Sequence, residues 1–346
     1  MANQAVGIDF GHAGIKLVEV RRGRQPIIKR AVYIPVPPGA ISRGVIQQPQ
    51  VLEELLDNFA PAMRLDRVMV VAGAAGAQIN VLPVRIPSAE EADLHPLIMH
   101  EFTSALHIQP EKAELYHIDY LELPSGSPSE HELLVVGMQK LHLGVYAEVL
   151  RNSRLPAYVF EVQAFALPRS QPREGLACYL DIGAEYTQVL VVDSGTFVLY
   201  RLLPIGMRRW CETVARVYQV SDEAVERLQR EKHIDQLMLE APGERSQLQK
   251  VIEDLLGGII QTLEFLRARH RVVSIGDLIT TIFLSGGGTM QKGMDILLSE
   301  EIGIPVVISQ PFSFCLGSEK LPPEILDIAP LFTGAMGMAL RGLSEP

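Results

Sequence analysis

The stretch "VGIDFGHAGIKLVEV", from Val6 to Val20, contains the first recognisable element of the fold. An apolar run meets Asp9, and then Gly11 and Gly14 separate it from Lys16 and a second apolar run. Because glycine permits a tight turn between two strands, the pattern predicts a β-hairpin whose first strand ends in D-x-G. Aspartate and glycine also favour turns in ordinary hairpins, so this stretch alone leaves the function open.

A second stretch, "CYLDIGAEYTQVLVVDSG" from Cys178 to Gly195, repeats the pattern. Asp181, Gly183 and Gln188 stand where the first copy has aspartate, glycine and lysine. Internal similarity of this kind indicates a duplicated domain. Two such tips facing each other can hold a polyphosphate, because turn N–H groups donate to its oxygens and the aspartates hold a hydrated cation. The alternative is a pair of ordinary hairpins.

A glycine triplet forms the third element, in "TIFLSGGGTMQKGMDILLSEEIGIPVV" from Thr281 to Val307. An apolar strand runs into Gly286, Gly287 and Gly288, and the pattern predicts an amphipathic helix after them. Glycines at such a junction let a ligand approach the backbone, and a helix N-terminus favours an anion. A triplet alone is weak evidence, because loops often contain glycine.

The composition is that of an ordered globular protein. The chain has 346 residues, of which 47% are hydrophobic and 21% charged, so we expect two or three domains. A formal net charge of -10 argues against non-specific binding to nucleic acid or anionic membranes. Three widely spaced cysteines suit a reducing compartment, and neither a leader nor a membrane span is predicted. We therefore expect a cytoplasmic protein without a nucleic-acid partner and without direct membrane insertion.

The order of these motifs resembles the actin and sugar-kinase superfamily, and within it the family of the type IV pilus assembly protein PilM. The two hairpins resemble the two phosphate motifs, and the glycine triplet resembles the adenosine motif. Three further stretches resemble a connecting helix, a closing helix and an inserted subdomain: "VFEVQAFALPRS" (159–170), "GAMGMALRG" (334–342) and "HEFTSALHIQPEKAELYHIDYLEL" (100–123). The resemblance covers nearly the whole chain, and the insert separates PilM from actin or a sugar kinase.

The resemblance implies an α/β fold with duplicated actin-like (ribonuclease H-like) domains and an inserted α/β subdomain. That insert is similar to the SHS2 subdomain that PilM shares with the cell-division protein FtsA. A helix capped by Ser88 and Glu91 is expected to open it. The predicted boundaries are 1–83, 156–190 and 325–346 for the first domain, 84–155 for the insert, and 191–324 for the second domain.

The resemblance also implies ATP and Mg²⁺ as ligands and assigns residues to them. Asp9 and Asp181 match the positions that hold magnesium through water, and Gln163 matches the residue that orients the attacking water. The expected nucleotide contacts are Gly11, His12, Lys16, Gly183, Ala184, Glu226, Gly286, Gly287 and Gly288. Three of these have ordinary alternatives: Lys16 as a solvated strand lysine, Glu226 as an exposed helix glutamate, and His12 as a turn residue facing solvent.

Three departures from the family pattern weaken the predicted phosphate site. His12, Ala13 and Gly14 supply no hydroxyl after the first D-x-G, where the family has serine or threonine. Gln229 replaces a family lysine, and Ala184 removes a polar side chain from the second tip. Each lost hydroxyl or lysine costs about 1–3 kcal/mol of binding free energy. We therefore expect ATP binding with very slow or undetectable hydrolysis.

By resemblance, the chain is expected to be a nucleotide-binding scaffold for assembly of the type IV pilus, which drives twitching motility, or for a related secretion machine. It would dock the cytoplasmic N-terminal tail of a PilN-like inner-membrane protein beside the insert and contact other pilus motor components. It would thus associate peripherally with the inner membrane. The alternatives are a nucleotide-independent adaptor, a sugar-kinase-like phosphotransferase, for which no catalytic aspartate is found, and an FtsA-like filament, for which no basic terminal helix is found.

Overall fold

Two five-stranded sheets with one shared plan form the centre of the molecule. The computed structural model describes residues 2–58, 68–87, 91–124, 129–243 and 245–344. In each sheet a long antiparallel hairpin carries a third antiparallel strand on one side and two parallel strands on the other. This repeated topology confirms the predicted duplication.

The first sheet contains the first D-x-G hairpin. Its strands are either buried along nearly their whole length or alternate buried and less buried positions. Their β-branched and aliphatic residues suit a sheet that is covered on both faces. In spatial order they are β10 (Val159–Val162), β6 (Val68–Ala74), β1 (Gln4–Phe10), β2 (Gly14–Arg21) and β3 (Ile27–Pro35). A two-stranded hairpin, β4 (Ile41–Ser42) and β5 (Val45–Ile46), lies beyond β3 in the chain.

Helices cover both faces of this sheet. One face packs on α1 (Pro49–Asp57) and α3 (Lys140–Asn152), and the other on α11 (Thr333–Ser344). Gly7 lies so close to α11 that an added Cβ would be 1.9 Å from the carbonyl oxygen of Ala335. The predicted closing helix is therefore confirmed, and it joins the core of this first half of the molecule.

The second sheet contains the second hairpin and is covered on one face by five helices. Among them, α8 buries one apolar face along its length of 26 residues, as its helical periodicity predicts. The strands, in spatial order, are β13 (Thr196–Leu203), β12 (Thr187–Asp193), β11 (Leu176–Ile182), β14 (Ile282–Ser285) and β15 (Val306–Ile308). The helices are α5 (Met207–Tyr218), α6 (Asp222–Glu231), α7 (Ile234–Leu239), α8 (Arg245–His270) and α9 (Met294–Ile302). A short α10 (Pro323–Asp327) precedes α11.

The other face of the second sheet meets the segment that joins the two halves. Tyr179 and Leu190 pack there against Val162, Ala164 and neighbouring residues. We expected residues 159–170 to form a connecting helix, but the segment begins as strand β10, parallel to β6. Its Val-Phe-Glu-Val sequence pairs well in a sheet, and only a 3₁₀ turn (Gln163–Ala166) and α4 (Leu167–Ser170) follow.

The insert is a three-stranded antiparallel sheet with one helix on it. The strands run in the order β7 (Ile79–Pro87), β9 (Glu130–Gln139) and β8 (Tyr116–Leu123), and α2 (Glu91–Ala105) packs against them. Ser88, the predicted N-cap of α2, lies outside the described residues. Helix α3 lies within the predicted insert range of 84–155, but it buries Tyr146, Val149 and Leu150 in the core of the first half.

Two predicted boundaries cross elements of structure. The boundary after residue 190 falls inside β12, and residues 176–190 pair in the second sheet rather than the first. The boundary after residue 83 falls inside β7, which runs to Pro87. The physical reason is the same in both cases: a hydrogen-bonded strand continues past the change in sequence pattern. The division of the chain into three domains stays a prediction.

Candidate functional site

The two hairpin tips bring Asp9 and Asp181 to one buried point between the sheets. The side-chain amide of Gln163 lies between them, with Nε2 3.3 Å from Asp9 Oδ2 and 3.4 Å from Asp181 Oδ2. All three side chains are buried. Sequence reasoning placed these residues in one site from separate motifs, and the structure brings them together.

Lys16 reaches the same point because of the hairpin register. In the β1–β2 ladder it stands directly opposite Asp9, and its Nζ lies 2.8 Å from Asp9 Oδ2. Burial opposes the charge of Lys16, but Asp9 and then Asp181 favour it, and the pKa of Lys16 is raised. Lys16 is therefore a buried counter-ion of the aspartate pair. The reading as a solvated strand lysine is wrong.

Asp181 is surrounded by neutral donors. Ser285 Oγ lies 3.0 Å from Oδ1, and Gln188 Nε2 lies 3.4 Å from Oδ2. Burial raises the pKa of Asp181, the nearby charge of Asp9 raises it further, and Lys16 with the two neutral donors opposes the shift. The carboxylate thus ionises less readily than an ordinary aspartate.

Gln188 links the site to the body of the second sheet, and sequence reasoning did not assign it a role. Its Nε2 donates to Gln163 Oε1 at 2.8 Å, and its Oε1 accepts from Tyr200 Oη at 3.1 Å. These contacts fix the amide of Gln163 from both ends. The sequence signal that could have identified Gln188 is its equivalence with Lys16 in the repeated pattern. Each of the two residues stands opposite the aspartate of its own hairpin, which puts its side chain beside that aspartate.

The aspartate pair fits a hydrated cation better than a directly bound one. Oδ2 of Asp9 and both carboxylate oxygens of Asp181 already accept hydrogen bonds from the protein. Within the described ranges, no group of three or more histidine, cysteine or acidic side chains is placed to hold a metal ion. Contacts through water, as Mg²⁺ usually makes, require fewer protein ligands.

The two predicted phosphate-binding glycines use their N–H groups inside their own turns. Gly11 N donates to Gly14 O at 3.1 Å, and Gly183 N donates to Tyr186 O at 2.9 Å. Behind the second tip, the carbonyl of Ala184 accepts from Arg208 N at 2.8 Å. Neither glycine N–H is free for a phosphate oxygen in this conformation, so part of the predicted cradle is already hydrogen-bonded.

His12 faces the opposite tip rather than solvent. Its Nδ1 lies 2.6 Å from Ile41 O, and the guanidinium of Arg208 from the second half contacts its ring. Arg208 Nη1 also pairs with Glu185 Oε1 at 3.0 Å. Arg208 and Glu185 were both missed by sequence reasoning, because no local pattern marks a contact between halves. The alternative that His12 is a solvent-facing turn residue is wrong.

The glycine triplet packs closely on β11. Gly286 has φ +79°, and a Cβ there would lie 2.7 Å from Asp181 Oδ1. A Cβ on Gly288 would lie 2.7 Å from the Cβ of Ile182. The helix expected directly after the triplet is instead a 3₁₀ turn, and α9 begins only at Met294. Close packing against β11 therefore accounts for two of the three glycines without a ligand.

Glu226 and Gln229 lie on α6, whose N-cap Ser221 accepts a hydrogen bond from Ala224 N. Burial raises the pKa of Tyr33 on β3, Lys16 opposes this, and the charge of Glu226 adds to the increase. Glu226 is exposed, and its charge acts on a residue of the opposite half. Gln229 is buried, with Nε2 3.4 Å from Cys211 Sγ, so it points away from solvent.

The molecule has two sheets of the same topology, and in each the first strand of the hairpin ends in D-x-G where the two halves meet. This arrangement is that of an actin-like protein. Solved structures support this fold. The ethanolamine utilization protein EutJ from Carboxydothermus hydrogenoformans is 13% identical with a TM-score of 0.53, covering 97% of this chain and 89% of EutJ. MreB5 of Spiroplasma citri bound to ADP is 11% identical with a TM-score of 0.54, covering 99% of this chain and 97% of MreB5.

A more similar solved structure is a PilM–PilN type IV pilus biogenesis complex, with a TM-score of 0.82, 22% identity and 99% of each chain covered. The sequence profile of the family "Type IV pilus assembly protein PilM" matches residues 7–343. The chain belongs to this family. None of the helices in the described part of the chain is long and apolar enough to cross a membrane.

Proposed function

We propose that this type IV pilus assembly protein binds a nucleotide between its two hairpin tips and docks the tail of a membrane protein. The observation that carries the nucleotide proposal is the buried cluster of Asp9, Lys16, Gln163 and Asp181, contributed by both halves. Burying two carboxylates and an ammonium costs folding stability, and clusters of this kind are concentrated at functional sites. ATP with Mg²⁺ is the proposed ligand.

Asp9 and Asp181 would hold Mg²⁺ through water, and the ion would neutralise charge on the phosphates. Gly11, His12, Lys16, Gly183 and Ala184 would lie on the phosphate side. Glu226 and the glycine triplet would lie on the nucleoside side. The arrangement favours binding over turnover. Gln163 donates to both carboxylates and accepts from Gln188, so its amide is fixed and supplies no base for the attacking water.

Titration with a fluorescent ATP analogue and Mg²⁺ tests this proposal. Asp9→Ala and Asp181→Ala should weaken binding, while Asp327→Ala, an exposed acid on α10, should leave it unchanged. Thermal melting of each variant serves as the control for folding. Unchanged affinity in both tip variants would remove the nucleotide site. Hydrolysis should stay far below the median enzyme turnover of about 10 per second.

The partner proposal rests on the PilM–PilN complex that this chain resembles and on the outer edge of the insert. Strand β8 is an edge strand, and its Tyr120 and Leu121 are 39% and 59% exposed. Such an edge can add an extended peptide through backbone hydrogen bonds and apolar contacts. We propose that a PilN-like cytoplasmic tail binds beside this insert and holds the protein at the inner membrane. Other pilus motor components remain proposed partners.

Calorimetry with a synthetic peptide of the cognate tail tests the docking, with an expected affinity near micromolar, or about 8 kcal/mol. Leu121→Asp should weaken binding, and Leu326→Asp, an exposed apolar residue on α10, should not. Deleting residues 84–155 is a poor test, because it would remove α3 from the first core. Absence of heat and of a thermal shift with the intact protein would exclude docking.

One observation favours a second candidate, a nucleotide-independent adaptor. The N–H groups of Gly11 and Gly183 are already bonded within their turns, and the tips already touch. An adaptor of this kind would bind the peptide equally well with and without ATP and Mg²⁺. The same calorimetry performed in both conditions distinguishes it from a nucleotide-dependent scaffold.

A further inference from the structure

Glu185, in the second tip, places its carboxylate among donors from both halves. Oε2 accepts from Arg43 N at 2.5 Å, and Oε1 pairs with Arg208 Nη1 at 3.0 Å. His12 Nδ1 is 3.7 Å from Oε2. Arg43 and His12 belong to the first half, and Arg208 to the second. The Glu185 side chain is 13% exposed, so solvent screens these contacts only in part.

The two donors to this carboxylate, a backbone N–H and a guanidinium, are of the kind that recognises a phosphoryl group. The anion that occupies this site, however, is part of the chain. We propose that the Glu185 carboxylate is a built-in anion that joins the two tips and keeps the cleft closed without any bound phosphate. The closure needs neither the nucleotide nor the peptide of the proposed function.

The N–H group that Glu185 meets is presented by a fixed turn. Arg43 and Gly44 form the two-residue turn between β4 and β5, with φ of 49° and 70°. Such turns need positive φ at both positions, which glycine adopts freely and arginine does not. The carbonyl of Gly44 accepts from Tyr146 Oη at 2.8 Å and from the amide of Gln78. The turn is therefore held to the first core, and bonding to it fixes the second tip relative to that core.

His12 completes the contact from the first tip. With Nδ1 donating to the carbonyl of Ile41, the Nε2 lone pair is available to the guanidinium of Arg208. Arg208 thus bridges Glu185 and His12, and the second half reaches the first through two separate contacts. A lone exposed ion pair contributes little to stability, but here a backbone N–H and a guanidinium both bond one largely buried carboxylate, and the imidazole accepts from the same guanidinium.

Hydrogen exchange of the intact protein without nucleotide tests the closure, read on the peptide that contains residues 41–46. Glu185→Gln should speed exchange there by about tenfold, because the Arg43 amide loses a charged acceptor. Arg208→Gln should act in the same direction through the second contact. Glu174→Gln, an exposed glutamate in the loop before β11, is the matched control and should change nothing.

Unchanged exchange of residues 41–46 in Glu185→Gln and in Arg208→Gln would overturn the proposal. Pyrophosphate added to Glu185→Gln separates this result from the nucleotide proposal. Restored protection supports the closure and shows that the vacated site takes a phosphate. Faster exchange that pyrophosphate does not reverse also supports closure by Glu185, and it counts against phosphate binding between the tips.

Discussion

The two hairpin tips have the same backbone design and different charges. In each, an aspartate at the end of the first strand stands opposite one residue of the second strand, Lys16 in the first tip and Gln188 in the second. Asp9 therefore has a buried cation at 2.8 Å, whereas Asp181 has only hydroxyl and amide donors. The two hairpins share the same strand register, but the lysine of the first tip is a glutamine in the second. The two aspartates therefore lie in environments of different charge.

This inequality shows how a symmetric fold produces an asymmetric site. The single ammonium of Lys16 serves both carboxylates, because it also acts on Asp181 across the cleft. Gln163, from the segment between the halves, then donates to both. Four predictions test how far the tips differ, beginning with the largest expected effect.

Lys16→Met should be far more destabilising than Gln188→Met. Removing the ammonium leaves two buried carboxylates without a counter-ion, which costs about 3–5 kcal/mol of unfolding free energy. The matched change in the second tip removes neutral hydrogen bonds and costs about 1–3 kcal/mol. Urea unfolding at pH 7 measures both, and equal costs would contradict the inequality of the tips.

The same pair of variants has a pH signature. The folded-state pKa of Lys16 lies above its usual value of 10.5, so its stabilisation is complete below pH 10.5 and is lost as pH rises through the raised pKa. Wild-type protein and Gln188→Met should both show this alkaline loss of unfolding free energy. Lys16→Met should lack this contribution, and an identical loss in all three proteins would exclude the assignment.

Asp181→Asn should gain stability relative to the wild type as pH rises. The pKa of Asp181 is raised in the folded state, so the folded protein holds that proton more tightly than the unfolded chain does. The contribution of Asp181 to the stability of the wild type therefore falls as pH rises from below 3.8 through the raised pKa. Asparagine cannot ionise and escapes this fall.

Urea unfolding midpoints at several pH values between about 3.5 and 7 provide the measurement, because carboxyl groups titrate in roughly this range. Asp9→Asn is the matched control, because it leaves the buried ammonium of Lys16 without its nearest partner and should destabilise the protein at neutral pH. A stability difference between Asp181→Asn and wild type that is flat with pH would refute the assignment.

Gly11→Ala and Gly183→Ala should show the smallest difference between the tips. A Cβ on Gly11 would lie 2.4 Å from Lys16 Nζ and 2.8 Å from Gly14 O, so overpacking should cost about 1–2 kcal/mol. A Cβ on Gly183 would meet only Tyr186 O, at 3.1 Å, and should change stability by less than about 0.5 kcal/mol. Thermal melting compares the two, and a second tip as sensitive as the first would contradict this.

Local patterns predicted the parts of the fold that depend on neighbouring residues. The D-x-G hairpins, the long amphipathic α8 and the cap at Ser221 follow from short-range turn chemistry and periodicity. Boundaries were less predictable, because tertiary pairing extends elements beyond their local signal. Strand β12 runs past residue 190, and residues 159–162 join a sheet through pairing with β6.

The site was predictable where the tips themselves carry it and not where distant segments meet. Asp9 and Asp181 are marked by their glycines, and Gln163 was found through family resemblance alone. Glu185 and Arg208 have no local mark, since their partners Arg43 and His12 lie far away in sequence. Gly286 and Gly288 show a different difficulty, because a glycine pattern that is typical of ligand approach also permits close packing against β11, and their role at a nucleotide stays a prediction.

The position of α11 determines the order in which the two halves can finish folding on the ribosome. Ala5, Val18 and Val20 in the first sheet are covered by α11 and the turn before it, which include Phe332 and Leu343. These partners are synthesised after all the other described strands and helices. The core of the second half, in contrast, is formed by residues between Leu176 and Val306. The first sheet is thus synthesised first, but its second apolar face is covered last. Until α11 is synthesised, this exposed face is where the nascent chain most needs protection from aggregation.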